Sequence, residues 1–160
     1  MGLDNHINFT ISIPSLDVLR SFEICYFRKY WGLRDKIMTI IGNNRTSGEI
    51  IIDKDTVKEI YNLLNKYSDV DHIFEEERLS TIWDCYTEVF HIRNEAAKLR
   101  FAIDFLENPL FGLVDFLNTL QIWEDSYVKK ENKFQDKLIA EALVNPPKSM
   151  HFYFSFIDAY

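Results

Sequence analysis

From Ile7 to Ile13 the sequence alternates without exception, with Ile7, Phe9, Ile11 and Ile13 on one side and Asn8, Thr10 and Ser12 on the other. Successive side chains of a strand point to opposite faces, so this is the pattern of a half-buried strand, which Pro14 ends. The same period returns between Met150 and Asp158, where Phe152, Phe154 and Phe156 face one way and His151, Tyr153 and Ser155 the other. A chain with strands toward both ends has to build a sheet, and what lies between them has to pack on it. A third, short β-branched run, Glu49 to Ile52, follows the turn chemistry of Gly42-Asn43-Asn44-Arg45-Thr46-Ser47-Gly48.

Elsewhere the apolar residues recur at helical spacing. Ser15 and Asp17 suit a helix start, and Leu19, Phe22, Tyr26, Tyr30, Leu33, Ile37 and Ile41 continue the stripe until Gly42 supplies a stop, so a long first helix is predicted. Asp53 or Asp55 caps a second helix with Val57, Ile60, Tyr61, Leu64 and Tyr67 along its apolar side. Beyond an acidic linker at Ser68 to Asp71, a third is marked by Leu79, Ile82, Trp83, Tyr86, Val89, Phe90, Ala97 and Phe101. It ends at Asn108, because proline disfavours helix in the residue before it. Pro109 opens another with Leu110, Leu113, Val114, Leu117 and Leu120; a more polar one reaches about Val144, either separate or continuous through Asp125 and Ser126. The expected fold is α+β, a helix-rich single domain over residues 1–160. Four or five helices cover one face of a small sheet of about three short strands, placed N-terminally, centrally and C-terminally.

With 47% hydrophobic residues, thirteen Phe and eight Tyr, such a domain can offset its chain entropy by burial alone. Cys25 and Cys85 sit in apolar patterns without ligand spacing and read as buried thiols. No signal peptide is recognisable and no apolar run nears the roughly 20 residues that cross a bilayer, so a cytoplasmic protein is expected. A net charge of −7 argues against bulk neutralisation of nucleic-acid phosphates, while leaving open an acidic mimic of nucleic acid.

Signatures of catalysis are missing: there is no glycine-rich phosphate loop, no nucleophile elbow and no paired Cys/His set. His6, His72, His91 and His151 are scattered, no metal or cofactor is indicated, and the chain leans away from being an enzyme. The richest segment runs from Tyr26 to Arg34. On a helix, Arg28, Lys29, Trp31 and Arg34 would set cations and rings side by side, able to hold an anion or a base by bidentate bonding and stacking. Alternatively the aromatics are core and the cations pair with acids such as Glu23 and Asp35. His91, Arg93, Asn94, Lys98 and Arg100 form a second basic stretch, and Trp123 with Tyr127 an aromatic pair one turn apart.

The opening Met1-Gly2-Leu3-Asp4, followed by Glu23, Tyr26, Arg28, Lys29 and Trp31, resembles a group of small bacteriophage proteins. Those begin Met-Gly-Leu-Asp and carry an aromatic-x-Arg-Lys signature in their first helix. The likeness covers about the first forty residues and extends to the aromatic segment from Phe152 to Tyr160. Asn5 departs from the group, which places an aromatic residue or Met there, and the region from Leu79 to Val144 has no counterpart in it. The resemblance implies a phage origin, with Asp4, Tyr26, Arg28 and Lys29 as the positions that matter. The leading expectation is an accessory protein that inhibits or redirects a host enzyme or antiviral defence complex by binding it. The alternatives are a binder of a nucleotide or nucleotide-derived signal through Arg28, Lys29, Trp31 and Arg34, and an enzyme using Asp4 and His6.

Overall fold

The computed structural model describes residues 3–42, 48–77, 82–108 and 112–159. Its elements run β1 (Asp4–Ile13), β2 (Val18–Arg28), α1 (Trp31–Ile41), β3 (Gly48–Ile52), α2 (Lys54–Tyr67), α3 (Val70–Glu77), α4 (Ile82–Glu107), α5 (Leu113–Trp123), α6 (Ser126–Glu131), α7 (Lys133–Ala142) and β4 (His151–Ala159). The four strands form one antiparallel sheet in the order β2-β1-β4-β3. The fold is α+β, with one strand more than the sequence pattern suggests.

The alternating segments behave as read. Ile7, Phe9, Ile11 and Ile13 point into the core, and the Phe9 ring meets Phe105, Phe116, Phe152 and Phe154 with centroids 5.1–5.9 Å apart. Asp53 caps α2 by accepting a hydrogen bond from the Thr56 amide at 2.7 Å, and Val57, Ile60, Leu64 and Tyr67 are buried. Gly42 closes α1 in the left-handed region, φ 75°, donating to the carbonyls of Met38 and Thr39.

The long first helix is not there. Pro14 begins a single 3-10 turn that contains Ser15, Asp17 takes φ 55°, and the chain turns back as β2, so that only Trp31–Ile41 is helical. The reason lies at Ile24. Val18, Arg20, Phe22 and Ile24 alternate inward, but the register slips between Ile7/Asn8 of β1 and their partners Cys25 and Glu23, leaving Ile24 as an extra residue. Beyond this bulge Cys25 and Phe27 point inward instead, and Ile24 and Cys25 are both fully buried. A period of two interrupted by one residue, with an arginine at an inward position, looks like a period of 3.6.

Other expectations shift locally. The supposed linker at Ser68 to Asp71 already includes the start of α3 at Val70. On α4 the buried stripe is Cys85, Val89, Ile92, Ala96, Leu99, Ala102 and Ile103, whereas Tyr86, Phe90 and Phe101 are exposed and Ala97 faces solvent. Asp125 separates α5 from α6, its carboxylate accepting from the Val128 amide at 2.8 Å, so the polar helix is not continuous with α5. The turn at 43–47, Leu79 and the helix start at Pro109 and Leu110 lie outside the described residues.

Candidate functional site

Opposite the core face, β1 and β2 present polar pairs in register: Asp4 opposite Arg28, His6 opposite Tyr26, Asn8 opposite Glu23 and Thr10 opposite Ser21. These rows interlock diagonally. Tyr26 Oη donates to Asp4 Oδ1 at 2.8 Å, His6 Nδ1 lies 2.9 Å from Glu23 Oε1, and the rings of His6 and Tyr26 are 4.9 Å apart. The bond to Asp4 raises the Tyr26 phenol above its ordinary value and keeps it a donor. Arg28 Nε stands 3.9 Å from Asp4 Oδ1, too far for a hydrogen bond.

The outer edge of β2 is closed by side chains instead of a strand. Gln135 of α7 accepts from the Leu19 amide at 3.1 Å, and Glu95 of α4 accepts from the Tyr26 amide at 3.1 Å. His91 Nε2 lies 2.9 Å from the Tyr26 carbonyl. A carbonyl only accepts, so Nε2 carries a proton, while Nδ1 stands 3.9 Å from Glu95 Oε1. Cys25 Sγ donates to the Glu95 carbonyl at 3.2 Å, and burial pushes its thiol well above the usual range, which makes it a packing group and not a nucleophile.

Of the residues singled out from the sequence, Asp4, Tyr26 and Arg28 meet on the polar face, as cross-strand neighbours and not along a helix. Lys29 ends β2 in the left-handed region, φ 63°, with its amide bonded to the Leu3 carbonyl at 2.8 Å. Trp31 opens α1 half-exposed, while Arg34 turns away to the core face. There it binds Asp158 at 2.8 Å and Asp35 at 3.0 Å, and Asp158 also accepts from the Asn5 amide at 2.7 Å. Arg34 thus neutralises an aspartate that is 1% exposed, and Asn5 supplies that carboxylate with a second donor.

A second surface was not foreseen. A groove of about 740 Å3 runs between α5 and the pair α6 and α7, with Asn118, Gln121 and Ile122 on one wall and Ser126, Lys129, Lys130 and Lys133 on the other. Val114, Asn118 and Ile122 follow at intervals of four along α5, and Val114 and Ile122 are 56% and 72% exposed although Phe116, Leu117 and Leu120 of the same helix are buried. None of the three lysines joins an ion pair among the described residues. The sequence signal for this surface is slight: Val114 and Ile122 are apolar positions set among the polar Asp115, Asn118 and Gln121.

Arg20 ties this layer to the sheet. It is 2% exposed, binds Glu124 at 2.9 Å and Asp136 at 2.7 Å, donates to the Ser21 carbonyl at 3.1 Å, and lies 4.0 Å over the Phe22 ring. Burial opposes its charge, but the two carboxylates outweigh burial and raise its pKa. No group of three or more His, Cys, Asp or Glu able to hold a metal ion occurs among the described residues, and no helix there is long and apolar enough to cross a membrane.

No family model, no curated protein and no solved structure matches this chain.

Proposed function

We propose that the protein acts by binding a host protein, as an accessory protein of the bacteriophage kind that its opening resembles, and that it thereby inhibits or redirects a host enzyme or defence complex. The observation that carries this reading is α5. Phe116, Leu117 and Leu120 cover its inner side, while Val114 and Ile122 stand exposed on the outer side between polar residues, an apolar pair that nothing among the described residues covers. The adjoining lysines, on a molecule of net charge −7, specify the partner's complement: an acidic surface carrying an apolar group that enters the groove beside Ile122.

The test is affinity purification of the tagged full chain from bacterial cells, beside an Ile122→Glu/Lys130→Glu variant of equal melting temperature. A host protein retained in stoichiometric amount by the parent chain and lost by the variant is the expected result. An empty eluate, or equal retention by the variant, overturns the reading.

A further inference from the structure

Where β2 gives way to α1, a hollow of about 460 Å3 is lined by Tyr26, Arg28, Lys29, Tyr30, Glu88 and His91. In an extended strand Arg28 and Lys29 would point to opposite faces. The positive φ of Lys29 breaks that alternation, and both cations line the same space. A lysine in the left-handed region is strained, and such strain is concentrated at binding sites. Lys29 has no ion pair among the described residues, and Arg28 has only the distant Asp4.

Tyr30 also lines the hollow. It is 5% exposed, and its hydroxyl is buried without a hydrogen-bond partner among the described residues, whereas buried hydroxyls are almost always satisfied. The ring of His91 stacks on that of Tyr30 with centroids 6.2 Å apart, its Nε2 engaged by the Tyr26 carbonyl and its Nδ1 3.9 Å from Glu95 Oε1. Glu88 brings a carboxylate to the same hollow; burial raises its pKa, opposed by the nearby His91. The wall therefore offers two cations, rings, and an acceptor for a hydroxyl or amino group.

We propose that this hollow binds a phosphorylated small molecule of nucleotide size, its phosphate held by Arg28 and Lys29 and a hydroxyl or amino group of the same molecule by Glu88. Guanidinium and ammonium groups together give the phosphate both bidentate and point-charge partners. The site is separate from the α5 groove and does not depend on a protein docking there.

Calorimetric titration of the full chain with AMP, adenosine and inorganic phosphate tests this. AMP binds most tightly, inorganic phosphate more weakly, and adenosine not measurably. Arg28→Gln/Lys29→Asn lowers the AMP affinity by roughly tenfold or more, asparagine being chosen because it tolerates a positive φ. Glu88→Gln narrows the gap between AMP and inorganic phosphate, and Lys130→Gln, in the other groove, leaves AMP binding unchanged. Adenosine binding as tightly as AMP, an unaltered affinity in the double variant, or no binding of either phosphate compound at millimolar concentration overturns the proposal. Should the double variant fail to fold, amide shift changes in the parent chain decide: AMP is expected to move Arg28, Lys29 and Glu88, and shifts confined elsewhere overturn it.

Discussion

Arg20 ties three elements together, since its guanidinium joins β2 to the end of α5 through Glu124 and to α7 through Asp136. Removing one partner of a buried ionic cluster leaves uncompensated charge, so Arg20→Met is expected to cost about 3–5 kcal/mol in a urea titration. Replacing Arg20, Glu124 and Asp136 together by Met, Gln and Leu should recover most of that loss, because no buried charge then lacks a partner. Cys25 and Cys85, both 0% exposed, should react with a thiol reagent such as Ellman's only at the rate at which the protein opens; immediate labelling of either would contradict their burial. Single residues were unequally legible. Tyr26, Arg28 and Lys29, expected along one helix, share a surface at the end of β2 instead. The place of Arg34 was not legible, because nothing in its neighbourhood along the chain announces Asp158, which lies 124 residues away.

At the scale of the element, β2 shows both what patterns convey and where they stop. Uninterrupted alternation identified β1 and β4, and an aspartate before a stripe of helical period identified the start of α2. The bulge at Ile24 and the inward Arg20 removed the corresponding signal from β2. The stripe of α4 was misphased for a different reason: the reading followed the aromatics Tyr86, Phe90 and Phe101, which are exposed, past the smaller residues that are buried, and Phe101 stacks against Phe116 and Trp123. Because β2 is an edge closed by side chains, Glu95→Ala should strip the Tyr26 amide of its partner and destabilise by about 1–3 kcal/mol, with light scattering rising as the edge opens to other chains. The cap of α2 sets a pH dependence. Hydrogen bonds from Thr56 lower the Asp53 pKa below its ordinary 3.8. Its contribution is therefore fully present above that value and fades as the pH falls through the lowered one. Asp53→Asn should flatten that part of the acid limb of a melting-temperature profile, and an unchanged limb would show that the cap contributes nothing to it.

For the whole molecule, the decisive contacts are the most distant in sequence. β1 pairs with β4 along nine residues, Asp4 opposite Ala159 through Ser12 opposite His151, and β4 alone connects β3 to the rest of the sheet. Two-state folding slows as contacts become less local, so refolding is expected to be slower than for a helical bundle of this length. Deleting residues 150–160 should abolish near-ultraviolet circular dichroism while much of the far-ultraviolet helical signal survives, because the helices are local and the sheet is not. None of this pairing is written in either strand, since alternation says which side of a strand is buried and is silent about its neighbour.

The position of β4 also decides what a ribosome exposes. This strand is made after every helix, yet it fills the slot between β1 and β3 and brings Phe152 and Phe154 to Phe9. At cellular elongation rates the interval between the synthesis of β1 and that of β4 is on the order of ten seconds. Throughout it, the hairpin of β1 and β2 travels with an unpaired row of amides and carbonyls beside an apolar face, which is the form of nascent chain that holding chaperones retain.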